Sequence, residues 1–364
     1  MYKLEDIRDI HLEITSRCQA KCPMCPRRIN GGPLNPFIHL DDITLEIFKK
    51  WFPEDFIKQL DSLFMCGNLG DPIVSKDTLE IYQHLRAVNP RIGLAMHTNG
   101  SAKNKEWWRK LAKVNVKVTF GLDGLKDTNH LYRISTDFDK IIGNANAFIE
   151  EGGFAKWHML VFKHNEHQVE EAREMSQNLG FKTFTTKHTS RFHQGALQVI
   201  DEKGNPLHKL EPTQKSAEMI PLVKESQNET TPTIICKAVK NRQLYVSACG
   251  NISPCCWLDM EWIPPYQASR IEYMDRIGEF PNLNKKINNK NKHVNIIKNN
   301  YEVIKHKFIF IQNLDQHGND IYYHKKTLEE LMTIAFHDKK CFGFNTLGFF
   351  KNEIDLDDLK SVND

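Results

Sequence analysis

The stretch HLEITSRCQAKCPMC, residues 11–25, places three cysteines directly after a short apolar run. The run HLEIT predicts a β-strand, and Cys18, Cys22 and Cys25 follow it in a polar loop with the spacing C-x3-C-x2-C. Three thiolates on one short loop can converge on a single metal centre and leave one coordination position open. The stretch therefore predicts a strand whose C-terminal end carries a metal site.

The composition is that of a globular protein with no marked charge imbalance. The 364 residues can form one large domain and a smaller one, and 49 Lys and Arg against 46 Asp and Glu do not indicate a nucleic-acid partner. The N-terminus lacks a secretion signal, and no apolar stretch reaches the roughly 18 residues of a membrane span. Nine cysteines in such a chain favour metal binding over a disulfide framework, and they predict a cytoplasmic protein without a membrane partner.

Strand-like and helix-like segments alternate through the first half of the chain. The predicted strands are 11–15, 62–66, 92–98, 116–120, 156–162 and 181–186, and the predicted helices are 44–52, 77–88, 104–114, 137–151 and 166–180. This alternation predicts an α/β fold with a parallel sheet, either a curved or closed barrel or an open doubly wound sheet. In both folds ligands bind at the C-terminal ends of the strands, which is where the cysteine loop lies.

The chemistry of the cysteine loop has two interpretations. A [4Fe–4S] cluster would bind the three thiolates through three irons and leave its fourth iron free. The alternative is a zinc site completed by His11 or by a distant residue, because no His or fourth Cys follows at zinc-finger spacing.

Four further motifs follow the predicted strands in order: GDP at 70–72, TNG at 98–100, GLDG at 121–124 and the pair Tyr132-Arg133. With the cysteine loop, they resemble the radical S-adenosylmethionine (radical SAM) superfamily over roughly residues 8–190. Two positions depart from the family pattern: Met24 stands where many members have an aromatic residue, and Gly121 replaces a serine.

The resemblance implies a partial (β/α)6 TIM-like barrel in which Cys18, Cys22 and Cys25 hold a [4Fe–4S] cluster. In that family the open iron binds S-adenosylmethionine, which is cleaved to a 5′-deoxyadenosyl radical. The residues implied to contact S-adenosylmethionine are Met24, Gly70, Asp71, Pro72, Thr98, Asn99, Asp123, Arg133, Val161 and Asn165.

A second cysteine set resembles the start of the SPASM and Twitch auxiliary-cluster domains. Cys236, Gly250 and Cys255 have the spacing C-x13-G-x4-C. The resemblance implies one auxiliary [4Fe–4S] cluster held by Cys236, Cys255 and Cys341, with the adjacent Cys256 as a further candidate ligand. The expected domains are the barrel over 1–199, a linker over 200–232 and a small α+β auxiliary-cluster domain with a tail over 233–364.

The predicted function is an enzyme that modifies an unactivated C–H position of a peptide or a small molecule. One alternative is a dehydrogenase for sugar- or aminoglycoside-type alcohols, and another is a non-catalytic iron–sulfur or zinc carrier or scaffold. The family implies a reductant such as flavodoxin or ferredoxin. The motifs assign no acid or base for the reaction.

Overall fold

The computed structural model describes residues 3–36, 38–189, 191–192, 195–225 and 237–256. The chain divides into two units, and the larger one includes Ile7–Asp259. In the other unit the described structure is a single 3-10 turn, Leu4–Asp6. None of the helices in the described ranges is long and apolar enough to span a membrane.

The strands of the larger unit are β1 Asp9–Leu12, β2 Ser62–Met65, β3 Gly93–Thr98, β4 Val116–Gly121, β5 Phe154–Val161, β6 Thr183–His188, β7 Leu197–Ile200, β8 Pro206–Leu210, β9 Gln243–Val246 and β10 Ile252–Ser253. The helices are α1 Leu45–Trp51, α2 Glu54–Lys58, α3 Thr78–Val88, α4 Lys105–Lys113, α5 Asn129–Tyr132, α6 Phe138–Glu150, α7 Val169–Asn178, α8 Gln214–Glu225 and α9 Lys237–Asn241. Short 3-10 turns span Pro72–Val74 and Glu166–Gln168.

The main sheet has the strand order β10-β9-β1-β2-β3-β4-β5-β6. Strands β1 to β6 pair in parallel with their sequence neighbours, as predicted. A doubly wound sheet reverses its strand order at a switch point, whereas this order runs in one direction through six strands. The fold is therefore a partial TIM-like barrel, and the doubly wound alternative is wrong.

Alternating side chains divide each strand between the helix layer and the inner face of the barrel. On β4, Val116, Val118 and Phe120 are fully buried under the helices. The ring of Trp108 on α4 lies 5.1 Å from that of Phe120, and the ring of Phe148 on α6 lies 6.2 Å from it. This apolar layer fixes the register of the strands, because a slip of one residue would turn the buried side chains to the opposite face. The register in turn sets where each strand ends.

The inner face is the other side of the same strands and carries polar and aromatic side chains. His97 on β3, Phe64 on β2, His11 on β1 and Tyr245 on β9 form a continuous row, with 4.9 Å between neighbouring ring centroids. Register places Lys156 and His158 of β5 on this face. The inner face is thus a polar lumen.

The expected linker 200–232 and the start of the expected domain 233–364 both contain regular secondary structure. The expected linker contains β8 and α8, and β8 pairs with β7 as an antiparallel hairpin. Beyond residue 233, β9 pairs in parallel with β1, and β10 pairs antiparallel with β9. The described start of the expected second domain therefore extends the barrel sheet, and the boundary at 233 stays a prediction.

Candidate functional site

The three cysteines of the opening stretch lie together in the loop after β1. Cys22 is buried, and Cys18 and Cys25 are half-buried. The loop is closed by a hydrogen bond from Cys25 N to Cys22 O at 3.0 Å. Burial raises the pKa of all three thiols, to about 11 for Cys22, and neighbouring thiols contribute to the rise at Cys18 and Cys22. Such thiols ionise readily only when a positive centre binds them, so the donor set fits a metal cluster.

The thiols do not converge on one point. Among the described residues, no three His, Cys, Asp or Glu side chains are grouped closely enough to hold a single metal ion. In a cubane cluster each thiolate binds a different iron, so the sulfurs of a cluster site need not converge in this way.

Asp71 connects the end of β2 to the end of β3 and to the cysteine loop. Its buried carboxylate accepts hydrogen bonds from the Thr98 hydroxyl at 2.7 Å, from Asn99 N at 2.7 Å and from Asn99 Nδ2 at 2.6 Å. Asn99 Nδ2 also lies 3.6 Å from Cys18 Sγ. Burial raises the pKa of Asp71, while these hydrogen bonds oppose the rise. The motifs GDP and TNG therefore meet at the first cysteine.

Asp123 makes the corresponding connection from the end of β4. It is fully buried and accepts from Arg133 Nε at 2.6 Å and from Leu160 N at 2.5 Å. Arg133 Nη1 lies 3.7 Å from Cys22 Sγ. A second buried aspartate thus holds a donor against a second cysteine.

The loop that contains Gly70 packs tightly against the end of β1. A Cβ on Gly70 would lie 1.6 Å from the Thr15 carbonyl oxygen, so a side chain has no room there. Oε1 of the buried Glu13 accepts from Leu69 N at 2.7 Å and from Gly70 N at 3.1 Å. Glu13 Oε2 accepts from the Tyr245 hydroxyl at 2.9 Å. These contacts hold the loop beside the cysteines.

The other predicted site residues occupy different environments. Pro72 is buried at the start of a 3-10 turn beside Asp71. Met24 is buried in an apolar cluster with Cys22 and Tyr132. Val161 shares the helix-facing side of β5 with Trp157 and is 2% exposed, and its contact with S-adenosylmethionine stays a prediction.

Asn165 connects the loop after β4 with the end of β5. Its side-chain amide donates to Asp123 O at 2.8 Å and to Leu160 O at 3.0 Å, and its carbonyl accepts from Phe162 N at 2.7 Å. These bonds use Nδ2 and Oδ1 of the amide, and Asn165 thereby positions the backbone of Asp123.

The hairpin of β7 and β8 covers the cysteine loop. Val199 and Leu210 are fully buried in the apolar cluster that contains Cys22 and Met24. Glu202, in the hairpin turn, pairs with Lys21 at 2.5 Å and with Arg28 at 3.0 Å. Glu202 lies in the expected linker 200–232, and its contact with the cysteine loop was not predicted from the sequence.

The described cysteines of the second set lie after β10. Asn68 Nδ2 donates to Cys256 O at 2.9 Å, and Ser253 Oγ donates to Cys255 O at 3.0 Å. Burial raises the pKa of Cys66 to about 12, with contributions from Asp71, Glu13 and Cys256. Cys256 therefore lies near the end of β2. Cys236 and Cys341 are outside the described residues.

Glu13 and Tyr245 were not predicted as site residues. The available signal for Glu13 was its position as the one charged residue in the predicted strand 11–15. Tyr245 gave no signal, because an aromatic residue in a strand is usually part of a core.

Two imidazoles of the inner face lie close to these loops. The pKa of His97 is lowered to about 4, mainly because its side chain is partly removed from bulk water and in addition because of His158, His11 and Lys156. Burial also lowers the pKa of His158. Both side chains are thus uncharged at neutral pH and can donate or accept hydrogen bonds.

Comparison with known proteins identifies one family. Residues 12–175 match the radical SAM superfamily. This range covers the cysteine loop, both aspartates with their partners, and the strands from β2 to β5.

Several solved structures resemble this chain at low sequence identity. SuiB of Streptococcus suis, bound to the precursor peptide SuiA, is 14% identical with a TM-score of 0.49 and covers 68% of this chain and 59% of its own. The anSMEcpe structure with AdoMet and the Cp18Cys peptide is 18% identical with a TM-score of 0.40 and covers 49% and 50%. BtrN with AdoMet and 2-DOIA is 11% identical with a TM-score of 0.38 and covers 80% and 86%.

The matched region thus spans about three fifths of the SuiB chain and half of the anSMEcpe chain in its complex with AdoMet and the Cp18Cys peptide. All three TM-scores lie below 0.5, and these likenesses support no assignment of substrate.

Proposed function

This chain belongs to the radical SAM superfamily of enzymes through residues 12–175, and from this premise we propose that it reductively cleaves S-adenosylmethionine and modifies an unactivated C–H position of its substrate. The observation that carries the proposal is the meeting of three thiols, one buried and two half-buried, with the ends of β2, β3 and β4. A carrier or scaffold has no need for two buried aspartates that hold donors around the thiols.

The chain's own residues divide the work at this site. Cys18, Cys22 and Cys25 hold a [4Fe–4S] cluster, and the loop at Gly70 presents main-chain groups to S-adenosylmethionine next to it. When bound there, the cluster would supply the electron for reductive cleavage of a C–S bond of S-adenosylmethionine, which yields a 5′-deoxyadenosyl radical. The protein positions both groups and keeps water away, and the hairpin of β7 and β8 contributes to that exclusion.

The substrate binds at the inner face of the barrel. A peptide side chain is the first candidate, because the second cysteine set resembles that of SPASM-type enzymes. A hydroxyl-bearing small molecule is the second candidate, favoured by His97 and His158. Uncharged imidazoles can hydrogen-bond a hydroxyl and accept its proton, as the oxidation of an alcohol requires.

The electron donor and the auxiliary cluster complete the proposal. A reductant such as flavodoxin or ferredoxin delivers the electron. An auxiliary [4Fe–4S] cluster takes ligands from Cys236, Cys255, Cys341 and Cys256. The proximity of Cys256 to the loop at Asn68 supports a place for this cluster near the barrel opening.

The test is anaerobic reconstitution with iron and sulfide, followed by reduction in the presence of S-adenosylmethionine and quantification of 5′-deoxyadenosine. We expect product from the wild type and from Cys249→Ala, which removes an exposed thiol. We expect none from the Cys18, Cys22, Cys25 triple-Ala variant. About eight irons per chain indicate two clusters, and about four indicate one.

A folded, cluster-containing wild type that forms no 5′-deoxyadenosine would contradict the proposal and favour a carrier or scaffold. Zinc in place of iron in the purified protein would favour the zinc alternative.

A further inference from the structure

Arg133 contacts one of the three thiols directly. Its Nη1 lies 3.7 Å from Cys22 Sγ, and its Nε is 2.6 Å from Asp123 Oδ2. We propose that Arg133 is a positioning residue of the cluster: its guanidinium donates a hydrogen bond to the Cys22 thiolate and makes the cluster easier to reduce. This inference rests on the proposed function, because it requires a cluster on Cys22.

The guanidinium is held by groups other than the thiol. Asp123 is fully buried and is itself fixed by Leu160 N. The Arg133 backbone N–H donates to Asn129 O at 2.8 Å, and the Tyr132 ring centroid lies 5.6 Å from the guanidinium carbon. Arg133 therefore reaches Cys22 from a side chain that is fixed at both ends.

Gly121 leaves the space that this position of Arg133 requires. A Cβ at Gly121 would lie 2.5 Å from Arg133 Nη2. The superfamily motif that resembles 121–124 has a serine at this position, so the departure from the motif and the position of Arg133 form one structural feature. With serine at 121, the guanidinium could not lie where it does.

The first cysteine has a neutral donor in the equivalent arrangement. Asn99 Nδ2 lies 3.6 Å from Cys18 Sγ and is held by Asp71 at 2.6 Å. In both cases a buried carboxylate orients a nitrogen donor, and the donor meets a sulfur. Arg133 differs in that its donor carries a full positive charge.

The expected effect follows from charge. Reduction adds one negative charge to a cluster whose thiolate ligands are already anionic. A fixed cation and hydrogen bonds to the sulfurs stabilise the more negative state, which raises the reduction potential. The effect is strong at a site that excludes water, because the local dielectric screens little.

The experiment measures the midpoint potential of the reconstituted cluster without S-adenosylmethionine, by redox titration followed by electron paramagnetic resonance. The variants are Arg133→Met, the double variant Asp123→Asn with Arg133→Met, and Gly121→Ser. The double variant avoids leaving Asp123 buried and unpaired, which by itself can prevent folding. The controls are Arg109→Met on α4, which removes a remote cation of the same kind, and Gly143→Ser on α6, whose new Cβ would meet only the Lys105 side chain.

We expect the midpoint potential to become more negative in all three test variants and to stay at the wild-type value in both controls. An unchanged potential in a fully loaded double variant overturns the inference. If, in addition, that variant binds S-adenosylmethionine more weakly, Arg133 is a ligand of its carboxylate only. Failure of the wild type to assemble a cluster, seen in its iron content, overturns the proposed function together with this inference and is thereby distinguished from a failure of this inference alone.

Discussion

Tyr245 donates a hydrogen bond of 2.9 Å to Glu13, a residue 232 positions earlier in the chain. Both side chains are buried, and the contact joins β9 to the end of β1, where the cysteine loop starts. The other carboxylate oxygen of Glu13 holds Leu69 N and Gly70 N. One carboxylate therefore connects the C-terminal part of the described sheet with the loop beside the three cysteines.

Tyr245→Phe is expected to destabilise the apoprotein by about 1–3 kcal/mol, because it leaves a buried carboxylate oxygen without its donor. Urea unfolding measures the change. Tyr132→Phe is the matched control, since the Tyr132 hydroxyl makes no hydrogen bond with the described residues. Equal stability losses in the two variants would show that the Tyr245 hydroxyl contributes nothing specific.

Gly70→Ala is expected to cost about 3 kcal/mol or more, because the new Cβ would lie 1.6 Å from a backbone oxygen that cannot rotate away. The measurements are the free energy of unfolding and the affinity for S-adenosylmethionine of any folded fraction. Gly152→Ala separates crowding from backbone strain. Its φ of 88° disfavours alanine by about 1–2 kcal/mol, but nothing lies within 4 Å of the added atom. A Gly70→Ala variant as stable as Gly152→Ala would contradict the packing of this loop.

Glu202→Gln is expected to shorten the lifetime of the reconstituted cluster in air, with a stability cost of about 1 kcal/mol or less. The reason is that Glu202 ties the hairpin to Lys21 and Arg28 of the cysteine loop, while its own side chain is half-exposed. Loss of visible absorbance after exposure to air gives the lifetime. Glu170→Gln removes an exposed pair with Arg173 on α7 and is expected to leave it unchanged. Identical cluster lifetimes in all three proteins would mean that the ion pairs of Glu202 are not needed to hold the hairpin over the cysteine loop.

His164 is expected to make the protein less stable in acid. Burial lowers its pKa from 6.5 to about 4, with contributions from His208, His130 and His167. Between these pH values the unfolded chain binds the proton and the folded chain does not, so stability falls as the pH falls from 6.5 towards 4. Both ring nitrogens are buried and have no hydrogen-bond partner among the described residues.

His164→Leu removes the imidazole that binds this proton in the unfolded chain. It is expected to reduce the loss of stability between pH 6.5 and 4 by an amount on the order of 1 kcal/mol. Urea unfolding at several pH values measures it. His39→Asn changes an exposed histidine and serves as the control. If His164→Leu and the wild type lose stability in parallel, the imidazole is not kept neutral by the fold.

Much of this structure could be predicted from local patterns. The six predicted strands and five predicted helices of the barrel correspond to observed elements, because the side-chain periodicity that defines them is decided within a few residues. The alternation along β5 also predicts the face on which Val161 lies, the same face as Trp157. The hairpin of β7 and β8 was missed because its polar, turn-rich sequence is equally typical of a linker.

The three thiols, their spacing and their place after the first strand could be predicted, since these features depend only on neighbours along the chain. Which groups meet those thiols depends on the tertiary structure. Asn99, Arg133 and Gly121 are separated in the chain from Cys18 and Cys22, and they come together because parallel strands in consecutive order bring their C-terminal ends to one rim. The same holds for Tyr245, which reaches Glu13 because β9 pairs with β1. Contacts of this kind depend on strand order and register, which are set by the packing of the whole sheet and not by any single segment.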